Sequence, residues 1–359
     1  MVKRTLLILI LSAICGTIFA QTDKHSVFQL TFLPFLSSNG PEAKEYSNAI
    51  SFNILAGSSK NEEVFAFAGL SNFISNNATG FQFAGLANTV SNNMDGFQFA
   101  GIVSRVGNDG KGAQFSGLTN IVKNNYNGFQ FAGLNNHAKE MKGFQFAGLV
   151  NASNNMDGFQ FGGLINRAQD MKGFQFAGLV NIARKVKGVQ FAGLVNVAEE
   201  SDCPIGLINI IKKGEKGIGI TYDLLGSTVV SFRSGGKYTY GIIGVGYNHK
   251  TENNTLTTEG GFGAHINCLS WFRIKNELKA TSIGNGSSKY ILNSSYSLLP
   301  AFRVGKHFEL WGGPSINHFL TNDPSNKKIL PDHSLWKKLS DNKLQQIYIG
   351  YQVGLQYIF

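Results

Sequence analysis

Proline is scarce, at 7 of 359 residues, and Asp, Glu, Lys and Arg together make up only 15% of the chain, against a usual roughly 25%. Glycine is abundant, at 43 residues, yet it follows no Gly-X-Y period, which excludes collagen. Beyond the first twenty residues there is no apolar run of about 18 or more, so no transmembrane helix is expected. A transmembrane strand remains open, because its polarity alternates and hydropathy scarcely registers it. There are three cysteines. Cys15 lies in the apolar leader, and spacing alone cannot show whether Cys203 and Cys268 pair. What is plentiful is Gly, Phe, Asn and Val, with 43% apolar residues overall. That is enough for a core, it argues against disorder, and it indicates an all-β protein.

The N-terminus has the form of a secretory leader. Lys3 and Arg4 supply charge, Leu6–Ile14 is apolar, and Ile18-Phe19-Ala20 precedes a cleavage point at Gln21. A lipoprotein anchored at Cys15 is disfavoured by Ile14, where a small residue belongs. The expected divisions are a leader at 1–20, N-terminal strands at 21–60, a repeat region at 61–211 and a barrel-like region at 212–359.

The repeat reads G-F-Q-F-A-G-L-x-N, followed by a polar stretch. Its second glycine recurs at Gly69, Gly85, Gly101, Gly117, Gly133, Gly148, Gly163, Gly178, Gly193 and Gly206, spaced by 16 residues, then 15, then 13. Two positions earlier stand Phe67, Phe83, Phe99, Phe115, Phe131, Phe146, Phe161, Phe176 and Phe191. Three positions later stand Asn72, Asn88, Asn120, Asn136, Asn151, Asn166, Asn181, Asn196 and Asn209, with Ser104 the exception. Three before the glycine is Gln in eight units, from Gln82 to Gln190. Such self-similarity marks a repeat architecture, and Phe-Gln-Phe-Ala alternates with the period of a strand. Parity sets Phe81 and Phe83 on one face and Gln82, Ala84, Leu86 and Asn88 on the other.

Two arrangements fit. In a parallel β-solenoid each unit is one coil, like residues stack about 4.8 Å apart, Asn and Gln form ladders, and Phe forms rows. In an antiparallel barrel each unit is one strand, with Phe toward lipid and Gln and Asn toward a lumen. The solenoid is favoured, because a fixed repeat with one variable corner suits stacked coils. Outward Phe rows would form an apolar strip of several hundred Å², rarely tolerated on a soluble monomer. Inward rows would simply be core, and that is the expectation here.

After about residue 215 the repeat gives way to longer alternating strands. The candidates are Gly217–Tyr222, Ser227–Arg233, Tyr238–Asn248, Gly261–Arg273, Tyr290–Val304, Phe308–Phe319 and Gln346–Phe359. The turn at Gly305-Lys306 is short and Thr321–Leu344 is long and polar, an asymmetry expected of outer-membrane barrels. Ser26–Phe35 and Ala49–Ala56 could complete the same barrel. In the last strand Tyr351, Val353, Leu355, Tyr357 and Phe359 alternate with Gln352, Gly354, Gln356 and Ile358. This strand resembles the C-terminal strand of Gram-negative outer-membrane proteins, which the barrel-assembly machinery recognises.

The repeat, over roughly residues 50–211, resembles an uncharacterised family of bacterial surface-repeat proteins with G-x-Q-x-A-G-L-x-N units after a signal peptide. The tract Phe308–Asn317 looks like that family's later strands. The resemblance implies no activity and transfers no catalytic residue.

Chemistry-bearing motifs are sparse. None of His25, His137, His249, His265, His307, His318 and His333 stands in a metal-binding motif such as H-E-x-x-H. His265-x-x-Cys268 is half a metal motif. Gly217-Ile218-Gly219 lacks the rest of a dinucleotide fingerprint, and Gly110-Lys111-Gly112 lacks the Ser or Thr of a phosphate loop. Asp95, Asp109, Asp157, Asp170, Glu199, Glu200 and Asp202 fall at polar corners, as solvated turn residues would. The net charge of +10 could attract acidic glycan or lipopolysaccharide, with Lys139, Lys142, Lys172, Arg184, Lys185, Lys187, Lys212 and Lys213 toward the later repeats. The resulting expectation is a non-enzymatic protein of the outer membrane or cell surface, without cofactor, metal or nucleic acid, whose repeat serves adhesion or structure. The alternatives are an outer-membrane channel and a secreted β-helix enzyme acting on polysaccharide.

Overall fold

The computed structural model describes residues 24–251, 255–284, 290–323, 329, 331, 333–340 and 343–359; the expected leader, 1–20, lies outside them. Apart from a short 3-10 turn, Gly40–Glu45, the regular structure among the described residues is strand. It combines a β-solenoid of stacked coils with a closed antiparallel barrel of eight strands. Two compact units divide the chain at Gln130 and Phe131, within the repeat.

In the first unit, successive coils pair in parallel and in register. Ala78–Ala84 lies on Met94–Ala100, which lies on Gly110–Ser116. The shorter strands Ala87–Val90 and Val103–Val106 stack likewise. Lys24–Leu33 pairs with Tyr46–Asn53, and that strand with Asn61–Ala68, all in parallel. The N-terminal strands are therefore coils of the solenoid and not members of the barrel. In the second unit Asn135–Ala147, Val150–Gly162, Asp170–Ala177, Lys185–Ala192 and Glu200–Ile205 continue the same parallel stacking. Parallel pairing between successive repeats within each unit excludes the arrangement in which each repeat is one antiparallel barrel strand.

Each coil turns where glycine is required on two grounds. Gly96, Gly112 and Gly158 have positive φ, a region that costs L-residues. A Cβ on Gly158 would also lie 2.1 Å from the carbonyl oxygen of Gly143 one coil away. At the second repeat glycine, a Cβ on Gly85, Gly101, Gly117, Gly148, Gly163, Gly178 or Gly193 would meet the preceding coil's backbone oxygen at 2.0–2.2 Å.

The coil interior combines small apolar columns, such as Ala84, Val90 and Met94, with polar ones. Gln82, Gln98, Gln114 and Gln130 are fully buried in the first unit, as are Gln145, Gln160, Gln175 and Gln190 in the second. The expected amide ladders form. Gln160 donates to Gln145 and Gln175 to Gln160, each at 2.8 Å. Asn136, Asn151, Asn166 and Asn181 each donate to the next asparagine at 2.9–3.0 Å. Burying an amide is tolerable only when it is bonded, and in-register stacking supplies partners along most of each ladder, with Gln82 Oε1 and Gln98 Nε2 left unpaired where the glutamine row is interrupted.

The faces are assigned opposite to expectation for phenylalanine. Phe81, Phe97, Phe144, Phe146, Phe159 and Phe176 are exposed, while Ala84, Ala100, Ala147, Ala177 and Ala192 are core. Leu86 is exposed too, because it lies with Gly85 in the bend between two strands, after which Asn88 resumes the inward face. The Phe rings do form rows. Phe83 stacks on Phe99 at 4.9 Å, Phe144 on Phe159 at 4.8 Å and Phe176 on Phe191 at 5.1 Å, all nearly coplanar.

The barrel strands are β1 Lys216–Asp223, β2 Ser227–Gly235, β3 Thr239–Asn248, β4 Thr255–Asn267, β5 Phe272–Ile283, β6 Ile291–Val304, β7 Phe308–Thr321 and β8 Lys343–Ile358. Neighbours pair antiparallel, and β8 closes on β1 with Gly217 opposite Ile358. The candidate strand Gly261–Arg273 is in fact two strands, β4 and β5, joined by a turn at 268–271. The solenoid's last coil seals its open end on this barrel. Lys237 and Tyr238 donate their backbone N–H to the carbonyls of Ser201 and Asp202, and Asn209 donates Nδ2 to Ser234 O at 3.1 Å.

Candidate functional site

The barrel is inverted relative to a soluble one. On β8, Ile349, Tyr351, Val353, Leu355 and Tyr357 are exposed, while Tyr348, Gln352 and Gln356 are buried. The outer wall continues with Ile218, Ile220, Val230, Val245, Leu278, Leu298, Leu310 and Ile316, each exposed. Phe359 is exposed beside Tyr357. Trp271, Phe272 and Phe302 cluster at the end that carries the solenoid.

The lumen holds the charge. Strand β5 sends Arg273, Lys275, Glu277 and Lys279 inward at every second residue, all buried. Glu277 accepts from Arg233 at 3.2 Å, Tyr240 at 3.0 Å and Gln352 at 3.2 Å. Glu309 accepts from Lys275 at 3.0 Å and Gln356 at 3.1 Å and forms an ion pair with Arg273 at 2.5 Å. Lys275 and Arg233 lie over the Trp311 ring at 3.9 and 4.6 Å. Away from the solenoid, Leu225, Ile283, Ile291, Phe319, Ile329 and Tyr348 pack together and fill the bore. Barrels of this strand number have an interior just wide enough for side chains, and here side chains occupy both ends. These lumen charges went unrecognised in the sequence, although their alternation with Ile274, Asn276, Leu278 and Ala280 was a signal for a strand with a polar inner face.

The repeat residues singled out by periodicity are positioned as structural elements. Gly, Asn and Gln build corners and ladders, and Phe builds an outer strip. The corner carboxylates form ion pairs across coils. Asp95 meets Lys111 at 3.4 Å, Asp157 meets Lys172 at 3.4 Å, and Asp170 meets Arg184 at 2.5 Å. They do not converge. His265 is buried in the lumen, whereas Cys268 is exposed in the β4–β5 turn; Cys203 and Cys268 are free thiols. Among the described residues no group of three His, Cys, Asp or Glu side chains could hold a metal. A cleft of about 410 Å³ lies between the last coil and the barrel end, but its charges pair with one another, Lys213 with Glu200 and Arg303 with Glu215.

One buried acid was not foreseen. Glu62 occupies a core column of the first unit, next to Ala78. Burial pushes its carboxyl up to about 7, against the opposing hydrogen bonds from neighbouring side chains, Ser51 and Asn48 among them.

Comparison with protein-family models, with curated proteins and with solved structures gives no match.

Proposed function

We propose that the chain is a non-enzymatic outer-membrane protein in which the barrel is the anchor and the solenoid a rigid scaffold. The observation that carries this is the inverted polarity of the barrel. Its outer wall is aliphatic and aromatic on every strand, and its lumen holds a cross-paired charge network. Water would reverse that preference, whereas a bilayer demands it. No helix among the described residues is long and apolar enough to cross a membrane, which leaves the strands as the spanning elements.

Loop lengths bear on sidedness. At the solenoid end the connections 236–238, 268–271 and 305–307 are all short, whereas at the other end 224–226 is short but 249–254, 284–290 and 322–342 are longer. In outer-membrane barrels short turns face the periplasm. The solenoid would then be periplasmic, and a structural role is favoured over adhesion at the cell surface. The filled lumen disfavours a channel, and the paired corner carboxylates disfavour polysaccharide cleavage.

The test is envelope fractionation with an alkaline carbonate wash, followed by protease treatment of intact cells. Retention with outer membranes and protection of the repeat are expected. Release into the soluble fraction would overturn the anchor, and cleavage of the repeat in intact cells would overturn its periplasmic placement.

A further inference from the structure

The barrel's outer wall and the solenoid's outer strip meet, and the meeting point suggests what covers the strip. In the second unit, Phe144, Phe146, Phe159 and Phe176 stand exposed along the coils, bordered by Leu149, Leu164, Leu179 and Leu194 at the corner. Ring stacking between coils already orders these side chains. The next member of the leucine row is Leu207, whose coil pairs Ile208 against Val195. Leu207 lies on the barrel. Its carbonyl oxygen would be 2.3 Å from a Cβ on Gly241, and its Cδ2 3.6 Å from one on Gly260. Both glycines belong to the outward-facing sets of β3 and β4, since Tyr240, Ile242, Glu259 and Gly261 point into the lumen. The leucine row therefore runs directly onto the wall that the barrel offers to hydrocarbon.

The strip also has a cationic edge. Lys142, Lys172 and Lys187 share one row with Asp157, immediately before the turn glycine and on the Phe side of the strand, so the row is net cationic although Asp157 pairs with Lys172. Apolar rings beside long cationic side chains suit a bilayer interface. The rings enter the acyl region, while the ammonium groups remain with anionic headgroups.

We propose that the Phe and Leu strip of the second unit is a lipid-contacting surface that lies on the leaflet surrounding the barrel. The recognised chemistry is acyl chain plus anionic phospholipid headgroup. This rests on the membrane reading of the barrel, and the test separates the two. In the full chain, Cys15, Cys203 and Cys268 are replaced by serine and single cysteines carry the fluorophore NBD. The sites are Phe146→Cys and Phe176→Cys on the strip, Arg167→Cys on the opposite solenoid face, and Tyr351→Cys on the barrel wall. The protein is reconstituted into phosphatidylcholine–phosphatidylglycerol vesicles containing phospholipid with a nitroxide on the acyl chain. Quenching is expected at 146, 176 and 351, several-fold stronger than at 167. The triple change of Lys142, Lys172 and Lys187 to Glu should weaken it at 146 and 176 without affecting 351. Quenching at 351 with none at 146 and 176 would overturn the lipid strip and leave the barrel reading intact. Blue-shifted but unquenched probes at 146 and 176 would mean that protein, such as a second copy, covers the strip, and would overturn it equally. Absence of quenching at 351 would remove the barrel reading and this inference with it.

Discussion

The one break in the asparagine row allows a direct test of how the ladder works. Ser104 stands where every neighbouring coil has Asn, and it is fully buried. A serine side chain is too short to continue the row. The same site carries a second departure. Ser116 occupies the position held by Ala84 and Ala100, and its hydroxyl lies 3.0 Å from Ser104 Oγ and 2.8 Å from Asn120 Oδ1. In a regular step Asn72 supplies that contact, donating to Asn88 Oδ1 at 2.9 Å. Ser116 thus takes over the donor role that Ser104 gave up. Ser116→Ala should remove one buried bond and cost about 1–2 kcal/mol, the usual net bond plus part of the desolvation left behind. Ser104→Asn alone should crowd the Ser116 hydroxyl and also destabilise. Together the two changes restore a regular rung, so the double variant should match or exceed the parent. The coupling should be favourable by about 1–3 kcal/mol, the range for residues in one network. Stacked coils open locally, so hydrogen exchange at the amides of 103–106 and 119–122 is the suitable assay. Additivity of the two single changes within about 0.5 kcal/mol would refute the compensation.

Other expectations concern single sites. The raised carboxyl of Glu62 favours folding fully only below its unfolded value, and that contribution is lost as pH rises through about 7. Glu62→Gln should therefore gain up to about 3 kcal/mol over the parent at pH 8 and little at pH 4; parallel pH–stability curves measured by calorimetry would contradict this. Gly148→Ala, whose Cβ would sit 2.1 Å from Gly133 O, should cost about 3 kcal/mol or more through forced backbone shifts. Gly305→Ala has φ +67 but open space and should cost only about 1–2 kcal/mol, so equal losses in urea unfolding would be evidence against the steric argument. Tyr351→Lys on the barrel wall should weaken folding into vesicles by about 2–4 kcal/mol, depending on depth; an unchanged folding equilibrium would mean that Tyr351 does not face lipid.

The periodicity of two and the recurrence of Gly85 to Gly193 made the coils, their parallel stacking and both ladders legible in the chain. Parity separates Phe81 from Gln82 but cannot say which is inside. The usual presumption, that Phe is core, failed for a specific reason. Gln114 donates to Gln98 at 2.8 Å and Gln130 to Gln114 at 2.8 Å, a partnership between coils that no single repeat displays. The N-terminal strands misled because they lack the G-F-Q-F motif; only their register shows that Phe52 continues the column of Phe67. Strand β5 was missed because Arg273, Lys275, Glu277 and Lys279 resemble a solvated face until Glu259 and Glu309 are seen opposite them.

These misses share one cause. A flattened coil and an eight-stranded barrel are both too narrow for a broad hydrophobic core, so each closes around polar groups that bond to one another. The coil uses amides repeated at the stacking interval. The barrel, lacking that repeat, uses carboxylates shared among several donors, as Glu277 is between Arg233, Tyr240 and Gln352. Either solution turns the large apolar residues outward. On the proposed membrane placement hydrocarbon, not water, surrounds both surfaces, and burial there adds to the term that dominates folding. Tyr351 on the wall and Phe146 on the coil would then share one apolar phase, and Leu207 on Gly241 and Gly260 joins the two surfaces.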